Sequence, residues 1–279
     1  MDTQKVWLVT GASKGLGLTL VKRLLAEGYS VAATSRNKTE LQKAVGEESS
    51  TFLPLEVDLI DENSVQQAVS KSIEKFGKLD VVVNNAGYGQ LGTLEELTDQ
   101  ESRQNFDTNV FGSLNIIRAS MPHLRHQGSG NIINIASIGG LSGDFPGWGI
   151  YCATKFAVVG FTEALAAEVK EFGVNATVVY PGYFRTDFLT GGSLRTPENE
   201  IEEYTTARQL QKAHEQDING NQPGDPEKAA AAMMELAAME NPPVHLVLGS
   251  DAFQMANSKL NALQNEISDF KTLSISTDY

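Results

Sequence analysis

Tyr151 and Lys155 stand four residues apart in a stretch with helical periodicity, so their side chains share one helix face a turn apart. A free phenol titrates near pH 10, roughly, and is a poor proton carrier at neutrality; an ammonium a few ångströms away stabilises the phenolate and brings the group into a useful range. The pair therefore has the makings of a general acid/base. Ser137 lies upstream, directly after the apolar run Asn131 to Ala136, where its hydroxyl can hold a substrate oxygen against the phenol. A tyrosine and a lysine at this spacing also occur on solvated helix faces, so their weight depends on what surrounds them.

The elements that must position these groups begin at the amino terminus. The apolar run Val6 to Val9 leads into Thr10-Gly11-Ala12-Ser13-Lys14-Gly15-Leu16-Gly17, after which Leu20, Val21, Leu24 and Leu25 recur at helical spacing. Strand, glycine turn and helix start form a phosphate site, since free N–H groups and the positive end of the helix dipole meet a backbone that can approach closely. From there strands and amphipathic helices alternate. Strands are expected at 29–35, 51–57, 79–83, 131–136, 174–180 and 244–248, and helices at 39–45, 61–76, 99–124 (ending near Pro122), 149–172, 226–238 and 255–270. Alternation of this kind specifies an α/β fold, one doubly wound Rossmann-type domain over residues 1–279 with about seven parallel strands and helices on both faces. Ligands in such sheets bind at the carboxyl ends of the strands. The exits carry Ser35-Arg36-Asn37, Asp58-Leu59, Asn84-Asn85-Ala86-Gly87, Ser137 and Pro181-Gly182, a polar and glycine-rich rim.

Composition narrows the function. Lys and Arg total 22 against 35 Asp and Glu, and a net charge of −13 disfavours nucleic acid and anionic membrane. The one cysteine, Cys152, admits no internal disulfide and has no paired base, so it reads as a small buried filler. Metal-type Cys/His spacing is absent from the sequence, and His214 is expected at the surface. With no signal-like start and no apolar run of about 18 residues, a cytoplasmic location is expected.

These motifs, in this order, resemble the short-chain dehydrogenase/reductase family, including its longer carbonyl reductase and hydroxysteroid dehydrogenase-like members. The likeness covers roughly Val6 to Thr186. It implies NADP(H) or NAD(H) as cofactor and a catalytic tetrad of Asn109, Ser137, Tyr151 and Lys155, with Tyr151 moving the proton, Lys155 also holding the nicotinamide ribose and Asn109 positioning a water that links Lys155 to solvent. It implies cofactor contacts at Gly11, Ser13, Lys14, Gly15, Leu16 and Gly17; at Ser35, Arg36, Asp58 and Leu59; at Asn85, Ala86 and Gly87; at Tyr151 and Lys155; and at Pro181, Gly182, Phe184 and Thr186. The reaction implied is interconversion of a small-molecule carbonyl and alcohol. A catalytically idle NADP(H)-binding sensor or scaffold is the alternative.

Arg36, with no carboxylate after the second strand and Lys14 inside the glycine turn, points to a 2′-phosphate and hence NADP(H). The loop before Tyr151 departs from the family pattern by a residue or so and carries Trp148, a candidate substrate wall together with Phe188 and Leu189. The polar insert 187–224, with Gly191-Gly192 and Gly220 as hinges and a charged helix from about Pro197 to Asp217, is expected to be a substrate lid. The closing helix and tail, 255–279, resemble those of the longer reductases of the hydroxysteroid and retinol dehydrogenase type, which implies a bulky apolar substrate, and the broadly apolar helices 99–124 and 149–172 suggest a homo-oligomer, dimer or tetramer.

Overall fold

The computed structural model describes residues 5–189 and 192–279, so Gly191 of the expected hinge lies outside the described residues. β1 (Val6–Val9) passes through the glycine turn into α1 (Gly15–Ala26), followed by β2 (Ser30–Ser35), α2 (Lys38–Val45), β3 (Phe52–Glu56), α3 (Glu62–Phe76) and β4 (Val81–Asn84). A two-residue strand, β5 (Gly89–Gln90), precedes α4 (Asp99–Phe106), a π-helical turn (Asp107–Phe111) and α5 (Gly112–Gln127). Then come β6 (Gly130–Ile135), α6 (Gly149–Val169) and β7 (Val174–Pro181). The insert contains β8 (Leu194–Arg195), α7 (Thr205–Lys212) and a second π-helical turn (Ala213–Ile218), and α8 (Pro226–Ala238), β9 (His245–Leu248), α9 (Ser250–Asp269) and α10 (Lys271–Ile275) close the chain.

Seven strands form one parallel sheet in the order β3-β2-β1-β4-β6-β7-β9. The period of two along each strand splits the apolar side chains between two helical layers. Val6 and Leu8 face α3, α5 and α6, packing with Val65, Val69, Ile116, Leu124 and Leu165. Trp7 and Val9 face α1, α2 and α8, packing with Leu20, Leu24, Leu41, Met233 and Leu236. Full burial of each such side chain contributes about 1.5–3 kcal/mol, which is what fixes the register of the strands. Strand order reverses between β1 and β4, and the crevice outside their carboxyl ends is where this topology opens.

Several elements differ from the sequence reading. The helix expected over 99–124 is broken by the π-helical turn at Asp107–Phe111 and runs on through Pro122 to Gln127. Proline removes one intrahelical donor and crowds the carbonyl a turn back; burial of Leu124 holds the last turn down regardless. The insert helix starts at Thr205 rather than Pro197, and the segment before it lies as a strap whose β8 pairs in parallel with β5, Gly89 opposite Leu194. Two-residue strands carry no periodic signal. The closing helix starts five residues early, at Ser250, because polar Ser250 and Asp251 occupy its first turn. Beyond its first turns α9 leaves the body, exposing Leu260, Leu263, Ile267 and Phe270. The helical stretch Gly149–Phe172 is long and apolar enough to cross a membrane by length and composition, but it packs along β7 with Val158, Thr162, Leu165 and Val169 buried.

One buried carboxylate ties the insert to the body. Glu96 accepts hydrogen bonds from Thr93 N at 2.7 Å, Ile201 N at 2.8 Å and Arg208 Nη2 at 2.9 and 2.8 Å. Burial alone would raise its pKa, but the two N–H groups and Arg208 outweigh it and hold the carboxyl below its ordinary value. A depressed folded-state pKa means stability that is present above the ordinary carboxylate range and lost as pH falls through the folded value. Glu96→Ala is therefore predicted to free the strap at a cost of about 1–3 kcal/mol, because buried donors lose their acceptor. Limited proteolysis between residues 196 and 222 should accelerate in the variant and, for the parent, on acidification. An unchanged cleavage rate in Glu96→Ala would show that other contacts anchor the insert.

Candidate active site

The crevice at the β1/β4 switch point is a cavity of about 630 Å³ running from the glycine turn to the insert. Gly11, Ser13, Lys14, Gly15 and Leu16 line one end. Gly11 has φ +65, and a Cβ there would lie 2.7 Å from Ala86 Cα, so the turn closes onto the segment after β4 only because no side chain intervenes. Gly17 does not line the cavity. A Cβ at that position would sit 2.4 Å from Asn85 Nδ2 and 2.6 Å from the Gly11 carbonyl, so Gly17 admits the Asn85 side chain, which donates to the Thr10 and Gly11 carbonyls. The start of α1 has no side-chain cap. Its first-turn N–H groups and dipole therefore face the cavity as an anion-binding donor set.

Ser35, Arg36, Asp58 and Leu59 line the far corner, beside the turn. Burial and then the neighbouring Arg36 guanidinium hold Lys14 below its ordinary pKa, with Glu40 and Asp187 opposing. Two cations this close, at the mouth of a phosphate cradle, form a donor set suited to a further anionic group. Glu56, opposite Ser35 in register, also lines this corner and accepts from Lys38 N at 3.3 Å; sequence reading missed it because it ends β3 rather than β2.

At the other end, α6 and the exit of β6 bring Tyr151, Lys155 and Ser137 together. Tyr151 is 8% exposed and Lys155 6%. Lys155 Nζ lies 5.7 Å from the centre of the Tyr151 ring and donates to the Ile135 carbonyl at 2.9 Å. The expectation that Lys155 lowers the Tyr151 pKa is not met in this structure. Burial pushes the phenol upward, the Ser137 hydrogen bond only partly opposing it, with Cys152 and Tyr183 adding to the rise. The same dryness pulls Lys155 down to about 8. Ser137 Oγ also accepts from Gly139 N at 3.1 Å, which fixes the rotamer facing the phenol. Cys152 is buried and its thiol is pushed up to about 11, an inert filler.

Asn109 is 1% exposed and stands behind the cavity wall, not on it. Its carboxamide accepts from Tyr88 N at 3.0 Å and donates to the Tyr88 carbonyl and to Thr154 Oγ1, each at 3.0 Å. The side chain thus clamps the segment after β4 to α6, with both of its N–H donors engaged and one bond accepted by its oxygen. The π-helical turn that contains Asn109 makes this reach, and such turns concentrate at functional sites.

A family model described as short chain dehydrogenase matches residues 5–194. The chain belongs to the short-chain dehydrogenase family. Among curated relatives, the oxidoreductase BOA17 of Botryotinia fuckeliana is 34% identical over 278 residues, spanning 98% of this chain and 99% of that protein. A 3-ketodihydrosphingosine reductase of Bacteroides thetaiotaomicron is 37% identical over 247 residues, 88% of each chain. A solved short-chain dehydrogenase from Streptomyces avermitilis superposes with a TM-score of 0.88 at 35% identity, over 98% of this chain and 100% of that one. Two further solved relatives are described with cofactor: ElxO with NADP bound, TM-score 0.73, 27% identical, over 90% of this chain and 99% of that one, and a Brucella melitensis 3-ketoacyl-(acyl-carrier-protein) reductase with NADH, TM-score 0.72, 28% identical, over 88% and 96%.

Within this short-chain dehydrogenase the wall beside Tyr151 is aromatic. Trp148 meets Tyr151 edge-on at 5.4 Å between ring centroids and Phe188 lies 6.1 Å away; Leu189 packs into the same cluster. Pro181, Gly182, Phe184 and Thr186 line the cavity between the two ends. His214, expected at the surface, is instead 2% exposed, lines the cavity and lies 5.0 Å from Trp148. Tyr183 and Gln222 join it. No spacing rule connects His214 to Trp148 across 66 residues that include α6, β7 and the insert; the sequence signal was its place at helical spacing from Leu210.

Proposed function

We propose that the protein is an NADP(H)-dependent oxidoreductase interconverting a small-molecule carbonyl and an alcohol, with Tyr151 as general acid/base. The observation carrying this reading is the buried Tyr151–Ser137–Lys155 cluster at the end of a cavity whose other end is an uncapped helix start flanked by two cations. The cofactor-bound relatives support a nicotinamide dinucleotide, and Lys14 with Arg36 favours the phosphorylated form. The turn residues from Gly11 to Leu16 would hold its pyrophosphate and Lys155 its nicotinamide ribose. Bound there, the nicotinamide supplies or accepts hydride. Ser137 donates a hydrogen bond to the substrate oxygen and fixes its distance to Tyr151. The phenol, kept protonated by burial, gives its proton to that oxygen, and the phenolate left behind then accepts from Ser137. Consumption of NADPH against a panel of aldehydes, ketones and ketosteroids tests the reading: turnover of a carbonyl supports it, and inertness toward the whole panel with intact NADPH binding would leave the idle sensor.

A pH prediction follows from Lys155. Its lowered pKa means the charged form prevails below about 8 and is lost above it. NADPH affinity of the parent should therefore weaken as pH rises through that value, whereas Lys155→Arg should hold its affinity level to about pH 10, guanidinium being charged throughout. Parallel profiles for the two would remove Lys155 from the cofactor site. The same reading has the protein as a homo-oligomer, favoured by the exposed Leu260, Leu263, Ile267 and Phe270 of α9; sedimentation as a monomer would count against it.

A further inference from the structure

The insert carries into the cavity a hydrogen-bonded pair that the proton-transfer reading leaves unused. His214 Nδ1 lies 2.8 Å from the Leu210 carbonyl, and since a carbonyl only accepts, Nδ1 carries the hydrogen. In a neutral imidazole Nε2 is then an acceptor, and the group 2.9 Å from it is Tyr183 Oη, so the phenol donates. Burial holds His214 below its ordinary pKa, which keeps the ring neutral. Burial, then Asp251 and Cys152, push Tyr183 upward, which keeps its proton in place. With that proton engaged, Tyr183 offers only lone pairs to anything else in the cavity, and a donated hydrogen bond strengthens them. Gln222, 2% exposed, lines the same cavity, its side-chain oxygen buried with no partner among the described residues. The neighbouring wall of Trp148, Phe188 and Leu189 is apolar but for the buried indole N–H of Trp148, which has no partner among the described residues. An acceptor set in such a wall penalises whatever leaves it unpaired.

We propose that Tyr183, oriented by His214 from the insert, is a specificity-determining residue that selects substrates carrying an O–H or N–H donor away from the reacting carbonyl, on an otherwise apolar body. The proposal rests on the carbonyl–alcohol reading for what reacts and adds what the rest of the substrate must present. His214 sits in the π-helical turn Ala213–Ile218, whose extra residue per turn lets its ring reach Trp148 and Tyr183 together.

The test uses four ketones of equal length that carry, at one carbon remote from the carbonyl, a hydroxyl, a protonated amine, a methoxy group or hydrogen. Their binding to the full-length protein loaded with NADP⁺ is measured by calorimetry, with turnover followed separately in NADPH. The parent should bind the hydroxyl or amine ketone roughly tenfold more tightly than the methoxy and hydrogen analogues. Whichever of the two is tighter identifies the donor. Tyr183→Phe should bring these ratios to within about twofold, the acceptor being gone. His214→Phe keeps a ring against Trp148 but releases the Tyr183 proton, so the methoxy ketone should gain on the hydroxyl ketone. This second variant decides the matter independently if Tyr183→Phe folds poorly. No discrimination by the parent, or ratios unchanged in both variants, would overturn the proposal. The ratios are read from binding, so intact discrimination with no turnover of any ketone would sink the carbonyl reading and leave this one standing.

Discussion

Tyr151→Phe is expected to abolish most turnover while leaving the fold and cofactor affinity close to the parent's. The substitution deletes one hydroxyl and keeps the ring that meets Trp148 edge-on at 5.4 Å and Phe188 at 6.1 Å, so the aromatic wall survives. The fold loses only the neighbourhood of that hydroxyl to Ser137, so its stability should change little. The chemical step loses the proton donor beside Ser137, and groups of this kind contribute about 10²- to 10⁴-fold. Neighbouring hydroxyls do not replace it: Tyr183 has its proton on His214, and the Cys152 thiol is pushed up to about 11. Single-turnover rates with bound NADPH, alongside NADPH titration and thermal unfolding, check all three expectations. A variant that reduces the best substrate at the parental rate would show that Tyr151 does not carry the proton.

The second large effect is expected in cofactor choice. Lys14 and Arg36 lie close enough that the guanidinium depresses the lysine's pKa, a repulsion that a 2′-phosphate between them would relieve. Charge-assisted hydrogen bonds are worth about 1.5–3 kcal/mol each, so two sustain a preference of a hundredfold or more for NADPH over NADH. Arg36→Asp should reverse the sign of the corner, repelling the phosphate and offering a carboxylate to ribose hydroxyls, and so move the preference toward NADH. Arg36 is exposed, so the parental preference should also shrink as salt is raised. Values of kcat/KM for both cofactors decide it. Equal values in the parent would defeat the assignment, and Glu56 at the same corner is the residue that would then explain NADH binding.

What the sequence determined by itself was everything encoded by local period and by exits from strands. Alternating apolar runs specify the two-faced parallel sheet because each face must be covered, and this sends Gly11, Arg36, Asp58, Asn85, Ser137 and Pro181 to one rim without reference to any long-range contact. Tyr151 and Lys155 share a helix face by spacing alone. Only the tertiary structure decided matters of dryness, reach and register between segments. It showed Gly17 to be a seat for Asn85 rather than a cavity residue, since close approach depends on where the β4 exit lands. It turned Asn109 into a clamp on Tyr88 and Thr154 through a π-helical turn that no pattern announces. It reversed the expected direction of the Tyr151 pKa, because desolvation depends on the whole wall and not on one neighbour. It also moved His214 from surface to cavity. That placement depends on the insert folding back over Trp148, held there by Glu96 from 118 residues upstream, a contact between chemically ordinary residues that becomes specific only when the chain has closed on itself.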